Sequence, residues 1–226
     1  MTVEGPVVRP FSIHVPDAVL DDLQRRLAQT RWPDGDGGMP WARGTDLTFM
    51  RALVQHWQHR YDWRAHEARL NRLPHYLTTI DGQALHFIHQ PGVGPAPMPL
   101  LLSHGWPGSI VEFEAIIPRL TDPGRFGGDP ADAFTVVAPS LPGFAWSYRP
   151  EQPRLNVAGI ARTFATLMTD VLGYERFAAQ GGDWGAYVSS QLGAAHADRL
   201  FGLHITLFSG PRDHLPTATT EAERAY

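Results

Sequence analysis

The chain contains no cysteine among its 226 residues. This absence excludes disulfide bonds, thiolate metal sites and a cysteine nucleophile, and it is typical of a cytoplasmic protein. Long apolar runs are absent too, and the first residues lack a basic segment followed by an apolar stretch. We therefore expect a soluble, cytoplasmic protein with no membrane span.

Positive charge is in slight deficit, because 19 Lys and Arg residues face 23 Asp and Glu residues, for a formal net charge of -4. The basic residues are scattered, so binding to DNA or RNA is not expected. The chain does have 43% hydrophobic residues, enough for a sizeable core, and 20 Pro and 22 Gly residues, which indicate many tight connections. This composition is typical of a fold in which strands and helices alternate.

Residues 1–73 are predicted to be helical. Helices are expected from Pro16 onward, over residues 46–60 and over residues 62–73, because apolar residues recur there at helical spacing. The segment 34–38 resembles a calcium loop but lacks the late bidentate acid, and His56 with His59 lacks a third metal ligand. No metal and no other cofactor is therefore expected.

From residue 74 onward, short apolar runs replace the helical spacing. Asp81-Gly82 between two such runs predicts a β-hairpin, and further strands are expected at 99–103, 133–138, 174–179 and 200–207. Helices are expected between these strands, over residues 110–120, 156–172 and 186–196. The order predicts an α/β fold with a mixed, mostly parallel sheet flanked by helices.

A glycine-rich turn, residues 104–109, follows the strand at 99–103. A strand, a glycine-rich turn and a helix form a setting in which a backbone amide is left free to bind an oxyanion. The alternative is an ordinary tight turn. Ser109 and Glu112 form a capping-box pattern at the start of the next helix, whose apolar face would carry Ile110, Phe113, Ile117 and Leu120.

The run Gly181-Gly182-Asp183-Trp184-Gly185 matches a nucleophile elbow, in which a sharp strand-to-helix turn presents one side chain above the sheet. A carboxylate in that place suits attack on a saturated carbon, because the product is an alkyl ester that water cleaves at its carbonyl. Epoxides and alkyl halides are the substrates that this chemistry favours. A plain turn is the alternative interpretation.

A second loop, residues 139–147, follows the strand at 133–138. The carboxyl ends of parallel strands are where such sheets bind ligands. Phe144 and Trp146 are therefore candidates for the lining of an apolar substrate pocket, with packing beneath a lid as the alternative.

Several motifs occur in an order that resembles one family, the microsomal-type epoxide hydrolases of the α/β-hydrolase fold. The resemblance implies that residues 1–73 form the N-terminal helical meander, 74–208 an incomplete hydrolase core and 209–226 the start of a cap. It implies that Asp183 is the nucleophile and that the backbone N–H groups of Trp106 and Trp184 form the oxyanion hole. The matching segments are residues 11–16, 31–33, 61–64, 104–109, 138–144 and 181–185.

The sequence departs from this family toward its end. Members continue through cap tyrosines and through late strands that bear an acid and a histidine, and His204, His214 and Tyr226 come too early to match them. The chain is therefore expected to be C-terminally truncated and inactive as given, reaching at most a stalled ester with a small apolar or aromatic epoxide. An uncovered strand at 200–207 would favour association, for example as a homodimer.

Two alternative functions stay open at this stage. Haloalkane dehalogenases share the Asp-Trp-Gly elbow, but they usually carry Asn at the position of Trp106 and lack the N-terminal helices. A non-catalytic binder that keeps the hydrolase fold is the second alternative.

Overall fold

A computed structural model describes residues 7–35, 38–208 and 220, in two compact units. One unit, residues 12–72, has three helices among its described residues, which are α1 (Asp17–Ala28), α2 (Leu47–His59) and α3 (Trp63–Leu70). Asp46 and Asp62 start α2 and α3, because their carboxylates accept hydrogen bonds from the N–H groups of Phe49 and Ala65. The last helix was predicted to reach residue 73 and ends three residues earlier.

Glu67 on α3 holds the segment that leads into α1. Its buried carboxylate accepts hydrogen bonds from the Val15 N–H at 2.7 Å and the Trp63 indole N–H at 3.1 Å, and it pairs with Arg64. Burial raises the pKa of Glu67, but the hydrogen bonds from Val15, Arg64 and Trp63 outweigh burial and lower it overall. Asn71 adds reciprocal bonds to the backbone of Ile13.

The other unit is built on a sheet. Within the described residues it has seven strands in the spatial order β1-β2-β3-β5-β4-β6-β7, and β4 to β7 run parallel to one another. This mixed sheet was predicted. The strands are β1 (Arg9–Phe11), β2 (His75–Ile80), β3 (Gln83–Gln90), β4 (Met98–Ser103), β5 (Phe134–Pro139), β6 (Phe177–Gly181) and β7 (Leu200–Ile205).

The hairpin between β2 and β3 confirms the prediction from Asp81-Gly82. Both residues have positive φ, at 49° and 76°, which is the backbone of the two-residue turn that matches the twist of paired strands. The turn fixes the register, so that Ile80 pairs with Gln83. In this register Ile80 and Leu85 join the core of the sheet.

The part of this unit that the structure describes also has three α-helices, namely α4 (Ile117–Thr121), α5 (Val157–Thr166) and α6 (Trp184–Ala195). The last two pack on each other, and α6 contacts β4, β6 and β7. The core between them is made of fully buried side chains, among them Phe87, Leu101, Phe164, Met168, Phe177, Val188 and Leu192. Burial of this apolar area is the main favourable contribution to folding of this unit.

The predicted helix over residues 110–120 is broken in the structure. A 3₁₀ turn covers Ile110–Phe113, and α4 starts afresh at Ile117 because Pro118 has no N–H and is accommodated only in a first helical turn. Ser109 caps the 3₁₀ turn through the Val111 N–H. The capping box is wrong, because Glu112 turns its carboxylate toward Gly105 and Gly108 instead.

Strand β7 forms one edge of the sheet as the described residues have it. It pairs with β6 on one side, and Phe201 and Leu203 are about half exposed. The strand ends two residues before the predicted limit. The predicted start of the cap, with His214 and Tyr226, lies outside the described residues. None of the helices in the described part combines the length and apolar character needed to cross a bilayer.

Candidate active site

Asp183 lies on a sharp turn between the end of β6 and the start of α6. Its φ of 49° and ψ of -124° are sparsely populated for a residue with a side chain, and the carboxylate is exposed at the carboxyl end of the parallel strands. The turn is so tight that a Cβ on Gly181 would lie far inside 3.0 Å of the Gly185 carbonyl, and a Cβ on Gly185 equally close to the Ser103 carbonyl. The two outer positions of the elbow therefore require glycine.

Two backbone amides point at the Asp183 carboxylate. The Trp106 N–H donates to Asp183 Oδ1 at 2.7 Å, and the Trp184 N–H donates from the first residue of α6. These bonds, from Trp106 first and then from Trp184, lower the pKa of Asp183, with a smaller opposing effect of burial. The carboxylate is consequently ionised at neutral pH and held by donors that belong to two neighbouring strand ends.

His104 anchors the turn that carries Trp106. It is fully buried, its Nε2 accepts the Leu141 N–H at 3.0 Å, and its Nδ1 lies 3.0 Å from the Gly105 carbonyl oxygen. Because Nε2 is an acceptor, Nδ1 carries the proton and donates to Gly105. Burial lowers the pKa of His104, so the ring stays neutral. With both ring nitrogens engaged, His104 ties two loops together.

A cavity of about 310 Å³ opens beside the elbow. Its size is at the lower end of ordinary ligand sites. Both tryptophans whose amides contact Asp183 lie in its wall. The residues that line it all have apolar or aromatic side chains, namely Trp106, Leu141, Pro142, Phe144, Leu155, Ile160 and Trp184.

Phe144 lines this cavity, but Trp146 does not, and this part of the pocket prediction is corrected. Residues 145–147 form a 3₁₀ turn, in which positions two apart face different sides. Trp146 accordingly packs against the rings of Phe11 and His86, with centroid distances of 6.0 Å and 5.0 Å. It is a packing residue of the sheet.

Sequence reasoning missed four lining residues and one acid. Leu141 and Pro142 could have been predicted as lining residues, because they lie in the loop that follows a parallel strand. Ile160 was assigned to the helix stripe, and periodicity does not reveal which part of a stripe borders a cavity. Nothing in the sequence indicated that Glu112 turns back toward residues 105–108.

A larger groove of about 850 Å³ lies in the helical unit, among α1, α2 and α3. Its walls are mostly apolar and Asp183 is not among them, so it adds nothing to the elbow chemistry. Within the described ranges, no group of three or more His, Cys, Asp or Glu side chains is placed to hold a metal ion.

An ionised acid on a strained strand-to-helix elbow, held by two backbone amides at the carboxyl end of parallel strands, defines an α/β-hydrolase. Models of two families match the chain, one described as alpha/beta hydrolase fold over residues 98–220 and one as Epoxide hydrolase N terminus over residues 8–113. The chain belongs to the epoxide hydrolase family of this fold, as its motifs predicted.

Individual relatives agree with this assignment. Epoxide hydrolase 1 of Oryctolagus cuniculus is 35% identical over 216 residues, which cover 94% of this chain and 47% of the relative. A Stigmatella aurantiaca protein provisionally named an epoxide hydrolase is 45% identical, over 96% of this chain and 49% of its own length. The chain therefore spans about half the length of the curated relatives it matches.

Solved structures support the same family assignment. The Aspergillus niger epoxide hydrolase superposes with a TM-score of 0.80 at 31% identity, covering 91% of this chain and 53% of that one. The juvenile hormone epoxide hydrolase of Bombyx mori superposes with a TM-score of 0.78 at 31% identity, covering 89% and 53%.

Proposed function

We propose that this chain carries the nucleophile and oxyanion hole of an epoxide hydrolase. Asp183 Oδ attacks an epoxide carbon, the carbon–oxygen bond of the ring breaks, and its electron pair goes to the epoxide oxygen, which takes up a proton from solvent water. The product is an alkyl ester of Asp183. Water then adds to the ester carbonyl, and loss of the alkoxy group releases a vicinal diol and restores the carboxylate.

The observation that carries this proposal is the 2.7 Å hydrogen bond from the Trp106 N–H to Asp183 Oδ1, together with the bond from Trp184. Oδ1, the oxygen that the Trp106 N–H holds, becomes the ester carbonyl oxygen and then the oxyanion of the tetrahedral intermediate. The donors are in place before charge develops. In a hydrolase of known mechanism, one such donor contributes about 3 to 4 kcal/mol to the reaction barrier.

The cavity favours a small apolar or aromatic epoxide. Its wall offers the faces of Trp106, Phe144 and Trp184 and no charged side chain. Such a substrate suits a role in detoxification or in the breakdown of aromatic hydrocarbons by a cytoplasmic enzyme. Exposed Phe201 and Leu203 on β7 suit pairing with a second copy of the chain.

The chain as given is proposed to stall at the ester. Hydrolysis needs a base that activates water, and opening of the ring needs a donor for the epoxide oxygen. In the described part of the chain, the cavity wall contains no His, Tyr, Asp or Glu, and His104 has both nitrogens occupied. We therefore expect slow alkylation of Asp183 and little diol.

The test is incubation of the purified chain with styrene oxide, followed by intact-mass spectrometry, peptide mapping and measurement of the diol. The matched control is Asp183→Asn, which keeps the size of the side chain but removes the nucleophilic carboxylate. We expect one added epoxide mass at Asp183 in the wild-type chain and none in the variant. Equal labelling of both proteins, or no labelling of a wild-type chain shown to be folded by circular dichroism, would refute the proposal.

A further inference from the structure

Glu112 is an acid close to the elbow that the proposed chemistry does not use. It lies on the 3₁₀ turn after the glycine-rich loop, and its carboxylate turns back into that loop. The Gly105 N–H donates to it, and its Oε1 lies 2.5 Å from the position that a Cβ on Gly108 would take. Burial first, and then the negative charge of Asp183, raise the pKa of Glu112 against the opposing effect of the Gly105 N–H.

The glycine-rich loop, residues 104–109, needs a contact that fixes its backbone. Residue 105 must be glycine, because a Cβ there would lie 2.5 Å from the Asp183 Cβ. Glycine also leaves the backbone free to rotate. Both polar groups of Gly105 are occupied, since its carbonyl accepts from His104 Nδ1 and its N–H donates to Glu112. The next amide along the chain, that of Trp106, is the one that reaches Asp183.

We propose that Glu112 is a positioning residue of the oxyanion hole, which holds the Gly105 N–H so that the Trp106 N–H stays aligned with Asp183 Oδ1. This inference rests on the proposed role of the Trp106 amide. Glu112 acts through the loop and does not touch the substrate. What the site requires from it is an oxygen acceptor for the Gly105 N–H, and not the negative charge.

The first test separates the acceptor from the charge. Glu112→Gln keeps an acceptor oxygen and removes the charge, whereas Glu112→Ala removes both. The pKa of Asp183 is measured by ¹³C NMR in each protein, and the Trp106 amide is followed by ¹⁵N NMR through the same titration. If Glu112 positions the loop, the Asp183 pKa rises in Glu112→Ala relative to Glu112→Gln, and the pH-dependent shift of the Trp106 amide shrinks only in Glu112→Ala.

The second test displaces Glu112 without replacing it. A Cβ in Gly108→Ala would lie 2.5 Å from Glu112 Oε1, the far end of a flexible side chain, and 3.1 Å from the Gly105 carbonyl oxygen. Oε1 is therefore pushed away, while the backbone at Gly105 has to give by only a few tenths of an ångström. We expect the Asp183 pKa to rise in Gly108→Ala as it does in Glu112→Ala. When Gly108→Ala and Glu112→Ala are combined in one chain, we expect no further rise. Gly202→Ala is the matched control, because a Cβ there meets no atom within 4 Å.

The outcomes distinguish this inference from the proposed function. If Glu112 is only a neighbouring charge, the Asp183 pKa changes alike in Glu112→Gln and Glu112→Ala, and the positioning role is wrong whatever the epoxide assay gives. If the expected order of pKa values is found but styrene oxide does not label Asp183, the positioning role holds and the hydrolase chemistry fails.

Discussion

The tight packing of the elbow gives the sharpest prediction for stability, through Gly185→Ala. An added Cβ would lie far inside 3.0 Å of the Ser103 carbonyl oxygen, which belongs to the interior strand β4 and does not rotate away as a side-chain end would. Overpacking of this kind costs about 3 kcal/mol. The better helix propensity of Ala returns up to about 1 kcal/mol. The net loss is about 2 kcal/mol, which lowers Tm by about 4 to 8 °C in a chain of this size.

Gly193→Ala, on the same helix, is the matched control. Its Cβ would meet only the end of the Leu203 side chain, at 2.7 Å, and that end can rotate. The gain in helix propensity offsets this shift, so we expect a stability close to wild type. Urea unfolding followed by circular dichroism compares the two variants. Equal stability of Gly185→Ala and Gly193→Ala would refute the reasoning that backbone contact fixes the elbow.

Three further predictions follow from contacts outside the elbow. Glu67 has a lowered pKa, so its stabilisation of the helical unit is present above its ordinary value of 4.5 and is lost as pH falls through the folded-state value. Acid titration of helix content should therefore be flatter in Glu67→Gln than in wild type. Gly82→Ala places a Cβ at φ 76° and should cost about 1 kcal/mol in urea unfolding, unlike Gly202→Ala. His104 should give the ¹⁵N NMR spectrum of a neutral ring protonated on Nδ1 at pH 6.5; a charged ring would contradict its assigned contacts.

Much of the fold could be predicted because short stretches of sequence determine its turns and strands. Asp81-Gly82 carries its own turn geometry, and the apolar runs that form β4 and β5 are typical of buried parallel strands. The break at Pro118 was missed although its cause is local too. The spacing of Ile110, Phe113 and Ile117 satisfied helical periodicity, while the missing N–H of proline decided where the helix begins.

The site was predictable only where chemistry and local backbone coincide. Asp183 was identified because glycines on both sides permit the strained turn that presents it. Phe144 and Trp146 have similar chemistry and are two residues apart, so composition could not separate them, whereas the 3₁₀ turn did. Glu112 makes its decisive contact backward, to a loop amide, and no sequence rule describes that contact.

The two amides at Asp183 are brought by neighbouring parallel strands, β4 and β6, which pair Ser103 with Gly181, and the bond from Trp106 spans 77 positions of sequence. Contacts of such long separation form slowly, because the intervening chain must first be ordered. The Asp183 carboxylate therefore gains the hydrogen bond from Trp106 only when β4 and β6 pair, whereas Trp184 is its neighbour in sequence. Until that moment, the carboxylate of a nascent or partly folded chain lacks the Trp106 hydrogen bond that lowers the pKa of Asp183.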